Sequence, residues 1–221
     1  MTQIIEQNLQ ENYFGIENDI AFLSEISNLN IESATKLSFD YITPPDGVNG
    51  QVVIWNSFYA DTTKSPIYQA DLPKAISSFE VNPKDINFNK GVYTIAVTAG
   101  PGLNTVGATQ TILNGQPVQS GSSSLFVIAK NLKSINLTFN SPANVIASQN
   151  ITWVIIYEGN TLGQGTRVAQ QTSSPGSSSG LITVNFTAGT LENGKIYNAV
   201  LNPGNTTRTA TAGYVFKYVL Q

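Results

Sequence analysis

The sequence predicts an all-β chain of two tandem β-sandwich domains preceded by an N-terminal arm, on three observations. Period-2 alternation of apolar residues recurs from residue 19 onward, broken by Pro, Gly, Asn and Ser clusters such as TPPDGVNG (43–50) and SSPGSSSG (173–180). Candidate strands form two series, 20–27, 36–42, 51–60, 76–81, 92–99 and 106–113, then 125–130, 134–139, 151–158, 181–187, 195–201 and 213–220, which superimpose in order. Aromatic landmarks repeat with them: Phe39 with Phe139, Trp55 with Trp153, Tyr59 with Tyr157, and Tyr93 in GVYTIAV with Tyr197 in GKIYNAV, at offsets of 98 to 104. A repeat of about 100 residues, long enough to bury its own core, follows.

In chain order the arm takes residues 1–18, the first domain 19–115, a linker 116–124 and the second domain 125–221. Residues 1–18 precede the first expected strand, yet they carry Ile4, Ile5, Leu9, Tyr13, Phe14 and Ile16, side chains that are costly to leave in water. The linker, QPVQSGSSS, is assigned because Gly and Ser cannot anchor a core. The third strand of each unit is apolar on both faces: Val53, Trp55 and Tyr59 oppose Val52, Ile54 and Phe58, and Ile151, Trp153, Ile155 and Tyr157 oppose Val154 and Ile156. A two-layer sandwich covers one such face, so a loop, the other domain or another subunit must cover the second. Strand 181–187 alternates cleanly, Ile182, Val184 and Phe186 against Thr183, Asn185 and Thr187, and is expected to face water.

A unit of this length, with six or seven short strands, one Trp on the third and a Tyr near the start of the sixth, resembles the immunoglobulin-like sandwich. The bridging cysteines of that family are missing, which leaves the cysteine-free branch; a jelly roll is the alternative topology. The resemblance implies that Trp55 and Trp153 pack between two sheets as structural core, and that Tyr93 and Tyr197 are corner tyrosines, each hydroxyl bonded to main chain a few residues upstream.

Chemistry is sparse. The chain has no Cys and no His, which removes thiolate nucleophiles and metal ligands, disulfides and the commonest general base. Beyond residue 35 the acids are Asp40, Asp46, Asp61, Asp71, Glu80, Asp85, Glu158 and Glu192, mostly in turns where Asp bonds local backbone. No catalytic, cofactor-binding or metal-binding residue is assigned, and the chain is read as a non-enzyme without cofactor. Eleven basic residues against fourteen acidic ones, unclustered, argue against nucleic acid as a partner, and no stretch is long enough to span a membrane as a helix. Charge is segregated: −6 over residues 1–35, −1 over 36–124 and +4 over 125–221. The N-terminal stretch does not read as a signal peptide, which suits a virion component released by lysis.

Tandem sandwiches, an acidic arm, no reactive side chains and a low-charge polar surface together resemble the vertex, turret and spike proteins of tailless icosahedral viruses, such as Sulfolobus turreted icosahedral virus. That resemblance implies a virion structural protein, a homo-oligomer of pentameric form, with other capsid proteins and a host-surface receptor as partners. The alternative is a cell-surface adhesion or carbohydrate-binding module. The acidic arm is expected to dock on the basic second unit of a neighbouring copy or on another capsid protein.

Overall fold

The structure is a computed structural model and describes residues 19–44, 49–146, 151–174, 176–204 and 209–220. The described chain is all-β. Its earlier strands are β1 (Ile20–Leu23), β2 (Glu25–Ile31), β3 (Leu37–Ile42), β4 (Gln51–Trp55), β5 (Ala60–Asp61), β6 (Tyr68–Asp71), β7 (Ile76–Val81), β8 (Val92–Thr98) and β9 (Val106–Leu113), with one 3-10 turn at Leu103–Thr105. The later ones are β10 (Gln116–Ser122), β11 (Ser124–Asn131), β12 (Ser134–Asn140), β13 (Val145–Ile146), β14 (Trp153–Glu158), β15 (Thr166–Thr172), β16 (Ser179–Asn185), β17 (Ile196–Asn202) and β18 (Ala212–Lys217). Alternation places the buried side chains. In β3, Leu37, Phe39 and Tyr41 are buried while Ser38, Asp40 and Ile42 are half-buried; in β12, Ile135, Leu137 and Phe139 take the inward positions.

Two pairs of antiparallel sheets result, β2-β3-β7 with β10-β9-β8-β4-β6, and β11-β12-β16 with β1-β18-β17-β14-β15. Side chains from both members of a pair meet in one apolar cluster. In the first, Phe39, Tyr41 and Val81 meet Val52, Ile54, Ile95 and Ile112; in the second, Leu125, Leu137 and Val184 meet Val154, Ile156, Leu201 and Phe216. The orders correspond strand for strand, with β2, β3, β7, β4, β6, β8 and β9 matching β11, β12, β16, β14, β15, β17 and β18.

The edge strands break the tandem pattern. The stretch 116–124, expected as a linker, is mostly strand β10, joined to β9 by a two-residue Asn114–Gly115 turn with both φ positive, 48° and 77°. The expected single strand 20–27 is two strands in different sheets, because β1 pairs with β18 from the far end of the chain. β1 stands to β2 as β10 stands to β11, with one residue between: Ser24 in one case, Ser123 in the other. Each half therefore lends its leading strand to the other's five-stranded sheet. At the crossing the Ser24 hydroxyl donates to the Thr211 carbonyl at 2.6 Å, and the Ser123 N–H donates to the Gly107 carbonyl at 2.7 Å. A Cβ at position 107 would collide with the Ser24 side chain, so the crossing demands glycine there.

The tryptophans depart from the position expected between the sheets. In β4 it is Val52 and Ile54 that enter the core, and alternation sends Val53 and Trp55 to the outer face. There Trp55 is 3% exposed, with Ala60, Ala96, Val106 and the other half's Val145 about it, and its indole N–H donates to the Lys64 carbonyl at 3.1 Å. Its cover is the loop 56–67. Trp153 lies on the equivalent outer face and is half-buried, beside Ile155, Val200 and Val215, with Leu162 from the loop 159–165 folded onto the same face. Asn198 holds that loop by accepting from the Gly163 N–H at 2.9 Å and donating to the Gly159 carbonyl at 3.0 Å.

The two tyrosines occupy matching strands, β8 and β17, and differ in bonding. The Tyr197 hydroxyl accepts from the Glu192 N–H at 2.8 Å. Tyr93 is packed edge-on against Phe88 at 5.5 Å, and its hydroxyl has no hydrogen-bond partner among the described residues. Tyr197→Phe is therefore expected to cost about 1 kcal/mol, and Tyr93→Phe close to nothing, as read by urea unfolding of each variant against the parent.

The halves are joined through β5 and β13, whose parallel pairing sets Ala60 against Val145 and Asp61 against Ile146. Beside that joint Asn144, 1% exposed, is inserted into the outer face of β8 and β9.

Candidate assembly surface

On the open side of the second half, the edges of β11 and β18 flank a groove of about 570 Å³ lined by Asp19, Val127, Ile128, Ala129, Lys130, Lys217 and Val219. Lys130 holds its wall in place. Its ammonium donates to Asp19 at 3.0 Å and to the Lys217 carbonyl at 3.0 Å, and lies 5.3 Å from the centre of the Phe216 ring. Asp19 is the first described residue, so this ion pair fastens the start of the described chain to β11. The Tyr214 hydroxyl donates to the same carboxylate at 3.4 Å, and burial together with the Asp19 charge pushes its pKa up, keeping it a neutral donor.

Above the groove, the outer face of β11-β12-β16 carries a row of three residues directly paired across the strands: Phe126, Thr138 and Leu181. Phe126 is 41% exposed and Leu181 63%, and Ile128, at a bulge in β11, is 56% exposed. The same three positions in the first half, paired in the same way across β2-β3-β7, are Ser27, Asp40 and Ser78. That row is polar and internally bonded: Ser78 donates to Asp40, as does the Asn28 amide at 2.7 Å, and these donors hold the Asp40 carboxyl below its ordinary pKa. The fold therefore tolerates a fully polar row at this site. Leu181 is not required by the paired sheets, Phe126 packs on Tyr214 at 6.1 Å, and the exposed apolar row makes this face a candidate interaction surface.

The residues singled out from the sequence contribute little to this surface. Ile4, Ile5, Leu9, Tyr13, Phe14 and Ile16 lie outside the described residues. Trp55, Trp153, Tyr93 and Tyr197 are distributed over two cores and two outer faces, and the structure brings them to no common site. Phe126 escaped notice because strand 125–130 has no clean alternation, the bulge at Ile128 shifting its register. Leu181 was legible: it shares the parity of Thr183 and Asn185, which points it to the water side of its strand.

A smaller cleft of about 270 Å³ between β15 and β16 is lined by Gln171, Thr172, Ser173, Ser177 and Thr183 among others. It holds hydroxyls and amides without an ionisable group, so it can donate and accept hydrogen bonds but cannot supply an acid or a base. Among the described residues no three Asp or Glu side chains gather as a metal site, and no helix is long and apolar enough to cross a membrane. No protein-family model matches the chain, and the search of curated proteins finds no relative.

Proposed function

We propose that this chain is a non-enzymatic structural protein of a virion, forming part of a capsid vertex, turret or spike by assembling with itself and with other capsid proteins. The observation that carries the reading is the contrast between the two rows: at equivalent positions the first half presents Ser27, Asp40 and Ser78, the second Phe126, Thr138 and Leu181. One half keeps its outer sheet wet and the other offers an apolar face, as a subunit does whose ends have different neighbours. We read each half as an immunoglobulin-like sandwich in preference to a jelly roll, because a three-stranded sheet faces a four-stranded one extended by a borrowed edge. The strand exchange and the Asn144 joint make the pair one body, suited to a fixed projection from a shell. The test is mass, measured by light scattering over a concentration series and by locating the chain in its source particle. Discrete multimers, a pentamer foremost, are expected; a monomer at every concentration, absent from particles, overturns the reading.

A second reading, an adhesion or carbohydrate-binding module, draws on the loop 56–67. Its anchors are buried, yet it holds Phe58 and Tyr59 outward at 45% and 52% exposure. Binding of glycans or cell-surface proteins by a monomer, lost in the double variant F58S/Y59S, favours that reading; a host-surface receptor met by the assembled particle would use the same loop.

A further inference from the structure

We propose that the apolar row Phe126–Thr138–Leu181, with Ile128 beside it, is the seat of residues 1–18 of a second copy of this chain. The inference rests on the assembly reading and adds the two surfaces that meet. Residues 1–18 carry Glu6, Glu11 and Glu17 and no basic residue, together with Ile4, Ile5, Leu9, Tyr13, Phe14 and Ile16. The seat complements both properties. Phe126, Ile128 and Leu181 offer exposed apolar surface, and exposed Lys133 and Lys217 give the region positive charge. β11 is also an edge strand whose outer side has no ladder among the described residues, so an extended segment can add to it through main-chain hydrogen bonds.

The assembly reading selects a second copy over the same chain. β1 runs antiparallel to β18, and its ladder ends at the pair Ile20–Val215. Asp19, one residue before that pair, is held by Lys130 at 3.0 Å. Phe126 is stacked on Tyr214 at 6.1 Å, and the Tyr214 hydroxyl donates to Asp19 at 3.4 Å, so the seat adjoins the start of the described chain. Eighteen residues reach up to about 60 Å when extended, enough to pass beyond the domain onto a neighbour. Repeated from copy to copy, the contact is heterologous and closes a ring or continues a file.

The absence of cysteine makes the test clean. A chain carrying Leu9→Cys and a differently tagged chain carrying Leu181→Cys are mixed under oxidising conditions. A disulfide-linked heterodimer is expected in excess of either homodimer. In parallel, F126S/L181S, which writes the first half's serines into the second, should raise the dissociation constant of the full-length assembly about tenfold or more, with circular dichroism unchanged and the melting temperature lowered only slightly by loss of the Phe126–Tyr214 contact. Assembly that persists unaltered in F126S/L181S, with no heterodimer in the mixture, overturns this seat while leaving the assembly reading standing. A parent protein that never associates removes both. A doubly substituted L9C/L181C chain that closes its disulfide within one monomer assigns the arm to its own chain and overturns the proposal.

Discussion

Trp55→Ala is expected to destabilise the protein by about 3–5 kcal/mol, and to do so from the face of β4 turned away from the opposing sheet. The indole is 3% exposed and fills the space between β4 and the loop 56–67, with Ala60 and the other half's Val145 among its neighbours. Removing it leaves a cavity under a loop whose other anchors include the Thr94 hydroxyl bond to the Ser57 carbonyl at 2.9 Å, the Ala60 N–H bond to the Asn144 carbonyl at 2.9 Å and the Ile67 N–H bond to the Ile54 carbonyl at 2.8 Å. The same change deletes the donor to Lys64. Limited proteolysis should cut W55A within 57–64 under conditions where the parent survives. Trp153→Ala, at the half-buried tryptophan on the outer face of β14, should cost markedly less, since water already reaches part of that ring. Equal losses in urea unfolding, or a W55A loop as resistant as the parent's, would show that both rings are core pins after all.

The contrast between the tryptophans shows what the sequence makes legible. Period-2 alternation separates the two faces of β4 without ambiguity, Val52 and Ile54 from Val53 and Trp55, but when both faces are apolar it cannot say which one meets the opposing sheet. Aromatic size suggests the core, and the structure assigns the slot to the smaller pair, because a covering loop supplies the second apolar environment. Trp55 lies opposite Thr94, one residue past Tyr93, whereas Trp153 lies opposite Asn202, five past Tyr197, and Phe39 falls at the register of Leu137, so of these landmarks only the match of Tyr93 with Tyr197 was legible. The strand exchange was not, for a physical reason. Ser24 and Ser123 change sheets in a single residue, and a local pattern of 20–27 looks the same whether its pairing partner lies ten residues or 190 away. The apolar row was half legible: Leu181 declares itself by parity, while the bulge at Ile128 hides Phe126. Its meaning came only from setting it against Ser27, Asp40 and Ser78, which requires the two sheets to be aligned by register.

Asn144→Ala should cost about 2–4 kcal/mol and should uncouple the halves, which is the more telling effect. Asn144 belongs to the second half, in the turn before β13, and its buried side chain bonds Thr109 and Thr111 of the first, with Thr111 in turn bonded to Thr94. The hydrogens can be assigned along the whole relay. The Asn144 amide donates to Thr111 at 2.9 Å; the Thr94 hydroxyl donates to the Ser57 carbonyl, so Thr111 must be the donor in the 3.0 Å bond between the two threonines; and Thr109 donates to the Asn144 oxygen. Truncation orphans the Thr109 donor in a place closed to water, the costly kind of loss. Calorimetry should then resolve two transitions where the parent shows one. Adding Thr109→Val, which removes the orphan, should recover part of the loss, and strict additivity in that double-mutant cycle would show that the bond carries no coupling. Asn144→Asp supplies a pH signature. A carboxyl in this site can still donate to Thr111 and accept from Thr109 while protonated, but its charged form is buried without a cation, so its folded-state pKa is raised above the ordinary value of about 3.9. A raised pKa contributes stability below the unfolded value that is lost as pH climbs through the folded one. Measured against the parent at the same pH, N144D should be nearly as stable at pH 3 and clearly weaker at pH 7. A deficit independent of pH would mean that the side chain at 144 is open to water and that its bonds do not couple the halves.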